Sequence, residues 1–200
     1  FLVFFIGVYP VFNYLAIHST NDVQTLLWAK MILFVSSPQG PLFYFFARSF
    51  PNARFIFNKR LQVLITGWVA LNIILAALGL IFKAVSVHNG TVSIEPGPFI
   101  PLFGLLHAGT IVAGIAVLYK KYRQAICKHK EQLTYVFYGV LVSFSLTFLI
   151  TFVLPIILKN TFLLAVSPLF LALSVVAAAY AIISQKLFDI RYVVVSSAAD

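Results

Sequence analysis

"YAIISQKLFDIRYVV", residues 180–194, continues the apolar run "AVSPLFLALSVVAAA" (165–179), and no Gly or Pro falls between Ala177 and Val195. Ile183, Leu187, Ile190 and Val194 are spaced 4, 3, 4, the spacing of a heptad seam. Gln185, Lys186, Asp189 and Arg191 fall on other faces, and Lys186 and Asp189 can pair at i, i+3. The stretch reads as a membrane span leaving the bilayer as one continuous helix with a narrow apolar stripe. An amphipathic helix lying on the membrane surface is the competing reading.

Working outward, the whole chain has the composition such a span requires. Of 200 residues, 62% are hydrophobic and 10% charged, with a mean hydropathy of +1.01. A soluble domain carries about 25% charged residues, so the expected class is an all-α integral membrane protein. Six apolar runs are near the length of a span, over 1–17, 24–47, 61–82, 99–119, 133–158 and 162–184. Tyr14, Trp28, Tyr119, Tyr122 and Tyr135 stand near their ends, as aromatics do at lipid–water boundaries. The first run starts at Phe1 with no basic segment before it, which reads as a fragment that begins in mid-span rather than a signal peptide.

The net charge of +9 would raise nucleic acid as a partner in a soluble protein. Here the charges have a different pattern. Loops 48–60 and 120–132 and the tail hold eleven Lys and Arg, the opposite loops hold Lys83 and Lys159, and Lys30 falls within a span. The positive-inside rule places the eleven in the cytoplasm, and with them both ends of the chain. The expected setting is a membrane with these loops on its cytoplasmic side, with no nucleic-acid partner. Cys127 is the lone cysteine, so no intramolecular disulfide is available; it reads as an idle thiol or a palmitoylation site.

In the outer loop 83–98, Val85, Val87, Val92 and Ile94 alternate with polar residues around Asn89-Gly90. Asn-Gly supplies the positive φ that a two-residue hairpin turn needs, so a small external β-hairpin is expected. Asn89-Gly90-Thr91 also fits a glycosylation sequon.

Catalytic motifs are absent: there is no HExxH, GxSxG or Gly-rich phosphate loop. Asp22, Glu95, Glu131, Asp189 and Asp200 all lie outside the spans, and the histidines have no ligand spacing with Cys127 or a carboxylate. No metal, cofactor or enzymatic activity is expected of this chain. Polar groups within hydrocarbon are costly and tend to face the bundle interior. Lys30, His107, Asn72 and Asn13 are therefore the candidate ligand contacts, in the outer half of the bundle or near its midplane. Each has a plainer reading. Lys30 can snorkel to the surface, His107 can be a satisfied core histidine, and Asn72 and Asn13 can join helices. Pro38 and Pro41 interrupt the second run, and Pro155 and Pro168 fall in the outer parts of theirs. Gly139, Ser143, Thr147 and Thr151 form a small, polar stripe suited to close helix contact.

The tail resembles the end of the seven-helix membrane region at the N-terminus of many bacterial sensor histidine kinases and some diguanylate cyclases. That family has a Tyr-Ala-Ile run, a few polar residues, then Leu-Phe-Asp-Ile; here these are Tyr180, Ala181, Ile182, Leu187, Phe188, Asp189 and Ile190. The resemblance implies helices two to seven of a seven-helix sensory bundle (1–184), with the family's first helix missing, and a cytoplasmic juxtamembrane linker (185–200). It implies a full-length histidine kinase, although no histidine here has a phosphoacceptor context: His129 precedes Lys130. The expected role is the input domain of a signalling receptor in a bacterial cytoplasmic (inner) membrane. It would bind an extracellular or membrane-soluble ligand, or sense the bilayer itself. Ile183, Leu187, Phe188, Asp189 and Ile190 would relay the change, with homodimerisation through the cytoplasmic extension. A fragment of a polytopic transporter and a structural membrane anchor or dimerisation module are the alternatives.

Overall fold

The computed structural model describes residues 1–19, 21–51, 58–88, 91–125, 128–150 and 169–183. The chain is mostly helical, with one two-stranded sheet. In order come α1 (Leu2–Ile17), α2 (Asp22–Ser36), α3 (Gln39–Ser49), α4 (Lys59–Ala77), β1 (Phe82–His88), β2 (Thr91–Pro96), α5 (Ile100–Gln124) and α6 (Lys128–Phe148). A further apolar helix, α7, covers Leu169–Ile183.

Local chemistry explains where these helices begin and end. Asn21 Oδ1 accepts from the Val23 amide at 2.9 Å and caps α2, and Asn58 Oδ1 accepts from the Arg60 amide at 3.0 Å and caps α4. The run expected to span 24–47 is two helices, because the backbone turns at Ser37-Pro38. Ser37 itself keeps helical backbone, with φ −51 and ψ −45, but Pro38 lacks the N–H that would continue the ladder. The freed hydroxyls of Ser36 and Ser37 both donate back to the Leu33 carbonyl, at 3.3 and 2.7 Å.

The run expected to reach residue 82 stops at Ala77. Gly79 adopts φ +74, and the amides of Gly79 and Leu80 donate to the carbonyls of Ala76 and Leu75 at 3.1 and 3.0 Å. This is a Schellman ending, which needs a left-handed residue and satisfies carbonyls the helix leaves open. The chain then enters β1 directly. β1 pairs antiparallel with β2, with His88 opposite Thr91, so the connection is the two residues Asn89-Gly90, as the alternation predicts.

α4 and α5 are long and apolar enough to cross a membrane, with 19 and 25 residues, while α1 and α7 are shorter apolar helices. Only 11% of the apolar window of α4 or α5 is buried inside the protein. A core helix of a soluble protein would be mostly covered. Val63, Leu64 and Ile74 of α4 and Leu105 and Val112 of α5 are instead more than half exposed, which places an apolar solvent around them.

Two cores hold the bundle. One joins Phe43, Ala47 and Phe50 with Leu118 of α5, Leu133, Val136, Phe137 and Val140 of α6, and Ala181 of α7. The other joins Leu33 of α2, Leu75 and Ala76 of α4 and Ile81, with Ile100, Leu102 and Phe103 packed against it. α3 makes its most extensive contact with α5. At Gly40 an added Cβ would stand 2.9 Å from the His107 carbonyl oxygen and closer still to Thr110 Oγ1; at Gly114 it would stand 2.6 Å from the Phe43 ring. These glycines let the two backbones approach. On α6, Gly139 lies against Ala177, and Ser143 donates to the Phe170 carbonyl, so Gly139 and Ser143 of the small-residue stripe face α7.

Candidate functional site

Lys30 is half-buried on α2, and its Nζ donates to the Ala77 carbonyl of α4 at 3.1 Å. That carbonyl is at the last turn of α4, beside Gly79. The ammonium therefore closes the negative end of a neighbouring helix. Lys121, near the end of α5, does the same for α3: its Nζ donates to the carbonyls of Ala47 (3.0 Å), Arg48 and Phe50.

Asn72 is fully buried on α4. Its Nδ2 donates to the Trp68 carbonyl at 2.9 Å, while its Oδ1 meets no partner. Trp68 Nε1 and His107 Nδ1 are also buried and unpartnered. The His107 ring stacks on Phe103, with centroids 5.8 Å apart and planes 8° apart. Asn13 is half-buried on α1.

The candidates thus separate. His107 and Asn72 project from helices that share the core around Leu33, Leu75 and Phe103. Lys30 is engaged with the end of α4. Trp68 was missed from sequence; a tryptophan one turn before an intramembrane asparagine is the signal that pointed to it. Leu187, Phe188, Asp189 and Ile190 lie outside the described residues, and Ile183 is the exposed last residue of α7.

Two shallow grooves are lined by described residues. One lies along α4 at Gln62, Thr66 and Ala70. The other, of about 610 Å³, runs between α6 and α7 past Tyr135, Tyr138, Gly139, Val176, Ala177 and Tyr180. Neither is lined by Lys30, Asn72, His107 or Asn13. Among the described residues no cluster of three or more His, Cys, Asp or Glu is placed to hold a metal ion.

Apolar helices exposed on their outer faces, and buried polar groups turned inward, define a helical membrane domain. Residues 1–191 match the family described as the N-terminal 7TM region of histidine kinase, and the chain belongs to that family. No curated protein and no solved structure matches it.

Proposed function

We propose that this chain is the input domain of a bacterial two-component receptor. It takes up a membrane-soluble or external stimulus in the bundle and passes the change through α7 to a cytoplasmic kinase. The single observation that carries this is the family match, which extends from the first helix through the Leu187–Ile190 motif. In this reading α1, α2 with α3, α4, α5, α6 and α7 are six spans, the basic loops are cytoplasmic, and the chain itself catalyses nothing.

The tail supports the relay. A joint in it would dissipate a small rearrangement, and a helix-interior Gly costs about 1 kcal/mol relative to Ala. Ala177 to Val195 contains neither Gly nor Pro. Ile183, Leu187, Ile190 and Val194 then offer a seam to a second protomer. The test is made in the full-length kinase in inner-membrane vesicles. Two Gly inserted between Lys186 and Leu187 abolish the coupling between the membrane region and autophosphorylation, while an isolated kinase domain retains its rate. Leu187→Asp weakens dimer crosslinking, and Gln185→Asp, off the seam, does not. A receptor that signals normally with the Gly insertion has a passive tether, and the relay reading fails.

A further inference from the structure

We infer that Trp68, Asn72 and His107 form an intramembrane binding site for an uncharged, membrane-soluble amphiphile bearing a hydroxyl or amide group. This deepens the sensory reading by naming the class of ligand.

The three groups are the buried side-chain polar atoms without a partner among the described residues. An unpaired polar group costs several kcal/mol in hydrocarbon, where no water replaces the lost bond. One such atom is an isolated defect. Three on two adjoining helices are a pattern.

Their level follows from the core. Leu33 of α2, Leu75 and Ala76 of α4 and Phe103 of α5 meet in one cluster. Asn72 precedes that contact by one turn of α4, and His107 follows it by one turn of α5. α4 runs opposite to α2 and α5, so a step back on one and a step forward on the others reach the same depth. Ser36, one turn beyond Leu33, is at that depth too. Trp68 lies one further turn down the same face of α4 as Asn72.

The chemistry of the site is then specified. His107 Nδ1 accepts or donates according to the tautomer of its ring. Asn72 Oδ1 is an acceptor, and Trp68 Nε1–H is a donor. A hydroxyl or a primary amide supplies both complements. The unpartnered atoms of Trp68 and Asn72 carry no charge, which suits an uncharged ligand. Leu33, Leu75 and Ala76 favour an apolar remainder.

The test uses the full chain in lipid nanodiscs with Trp28→Phe, which leaves Trp68 as its one tryptophan. The probe is 1-octanol, with n-octane as the control that lacks a hydrogen-bonding group. 1-Octanol shifts Trp68 emission saturably where octane does not. Asn72→Leu and His107→Phe each raise the half-saturating concentration about tenfold, the loss of about one net hydrogen bond. Circular dichroism confirms helicity in both variants, and either one alone decides the matter. An equal response to octane, a response linear in added octanol, or unchanged saturation in a folded variant overturns the proposal and leaves a bound water as the occupant. The assay contains no kinase, so its failure leaves the receptor reading standing, and failure of the Gly-insertion test leaves this site standing.

Discussion

Lys30 and Lys121 each place an ammonium on the carbonyl end of a neighbouring helix, and this decides what removing them does. The last carbonyls of a helix have no partner within it, and the helix dipole makes that end negative. Ala77 receives Lys30 at 3.1 Å, and Ala47, Arg48 and Phe50 receive Lys121. Lys30→Met is therefore expected to lower the unfolding free energy in mixed detergent micelles by about 1 kcal/mol. Lys121→Met, which strips three carbonyls, is expected to cost more. Unchanged stability in Lys30→Met would release the ammonium from this role and return Lys30 to the ligand candidates. Sequence placed Lys30 at a depth where a charge demands a partner. It could not show the partner, because Ala77 is far along the chain and its carbonyl is left open only by the end of α4.

At the scale of elements, α3 and α5 are held by two backbone approaches, Gly40 to His107 and Thr110, and Gly114 to Phe43 and Tyr44. Backbone cannot give way as a flexible side chain can. Gly40→Leu is expected to destabilise the chain by about 1–3 kcal/mol, the usual range for overpacking. Gly104→Leu on α5, where nothing lies within 4 Å of an added Cβ, is expected to be near neutral. Equal effects of the two in the same micelle titration would mean that the α3–α5 crossing is not close. The hairpin was legible because Asn89-Gly90 and the flanking valines are local signals, and the pairing of His88 with Thr91 follows from them. The break at Ser37-Pro38 was legible for the same reason. The end of α4 was also written locally, in Gly79, yet hydropathy masked it: Leu80, Ile81 and Phe82 continue the apolar run into β1. The orphaned atoms of Trp68, Asn72 and His107 were the least legible. Burial and missing partners arise only when three helices meet.

At the scale of the whole molecule, the structure sorts the loops into two ends. Lys121 ties the end of α5 to the end of α3, so the segments after these helices share one end, and that end carries Arg48, Lys59, Arg60, Lys120 and Arg123. β1 packs on α2, and Lys30 meets the far end of α4, so the hairpin lies at the opposite end. Its exposed pair, Lys83 with Glu95 at 3.5 Å, adds little net charge there. In the proposed orientation, which the positive-inside rule favours, the basic end is cytoplasmic and the hairpin external. Cysteines placed singly in a Cys127→Ser background test this with a membrane-impermeant thiol reagent. Asn89→Cys, in the hairpin connection, is expected to label strongly in intact cells. Asn58→Cys, at the exposed start of α4, is expected to label only after the membrane is opened. Labelling of Asn58→Cys in intact cells with protection of Asn89→Cys would invert the bundle. α7 would then run toward the outside, and a cytoplasmic kinase could not receive its signal.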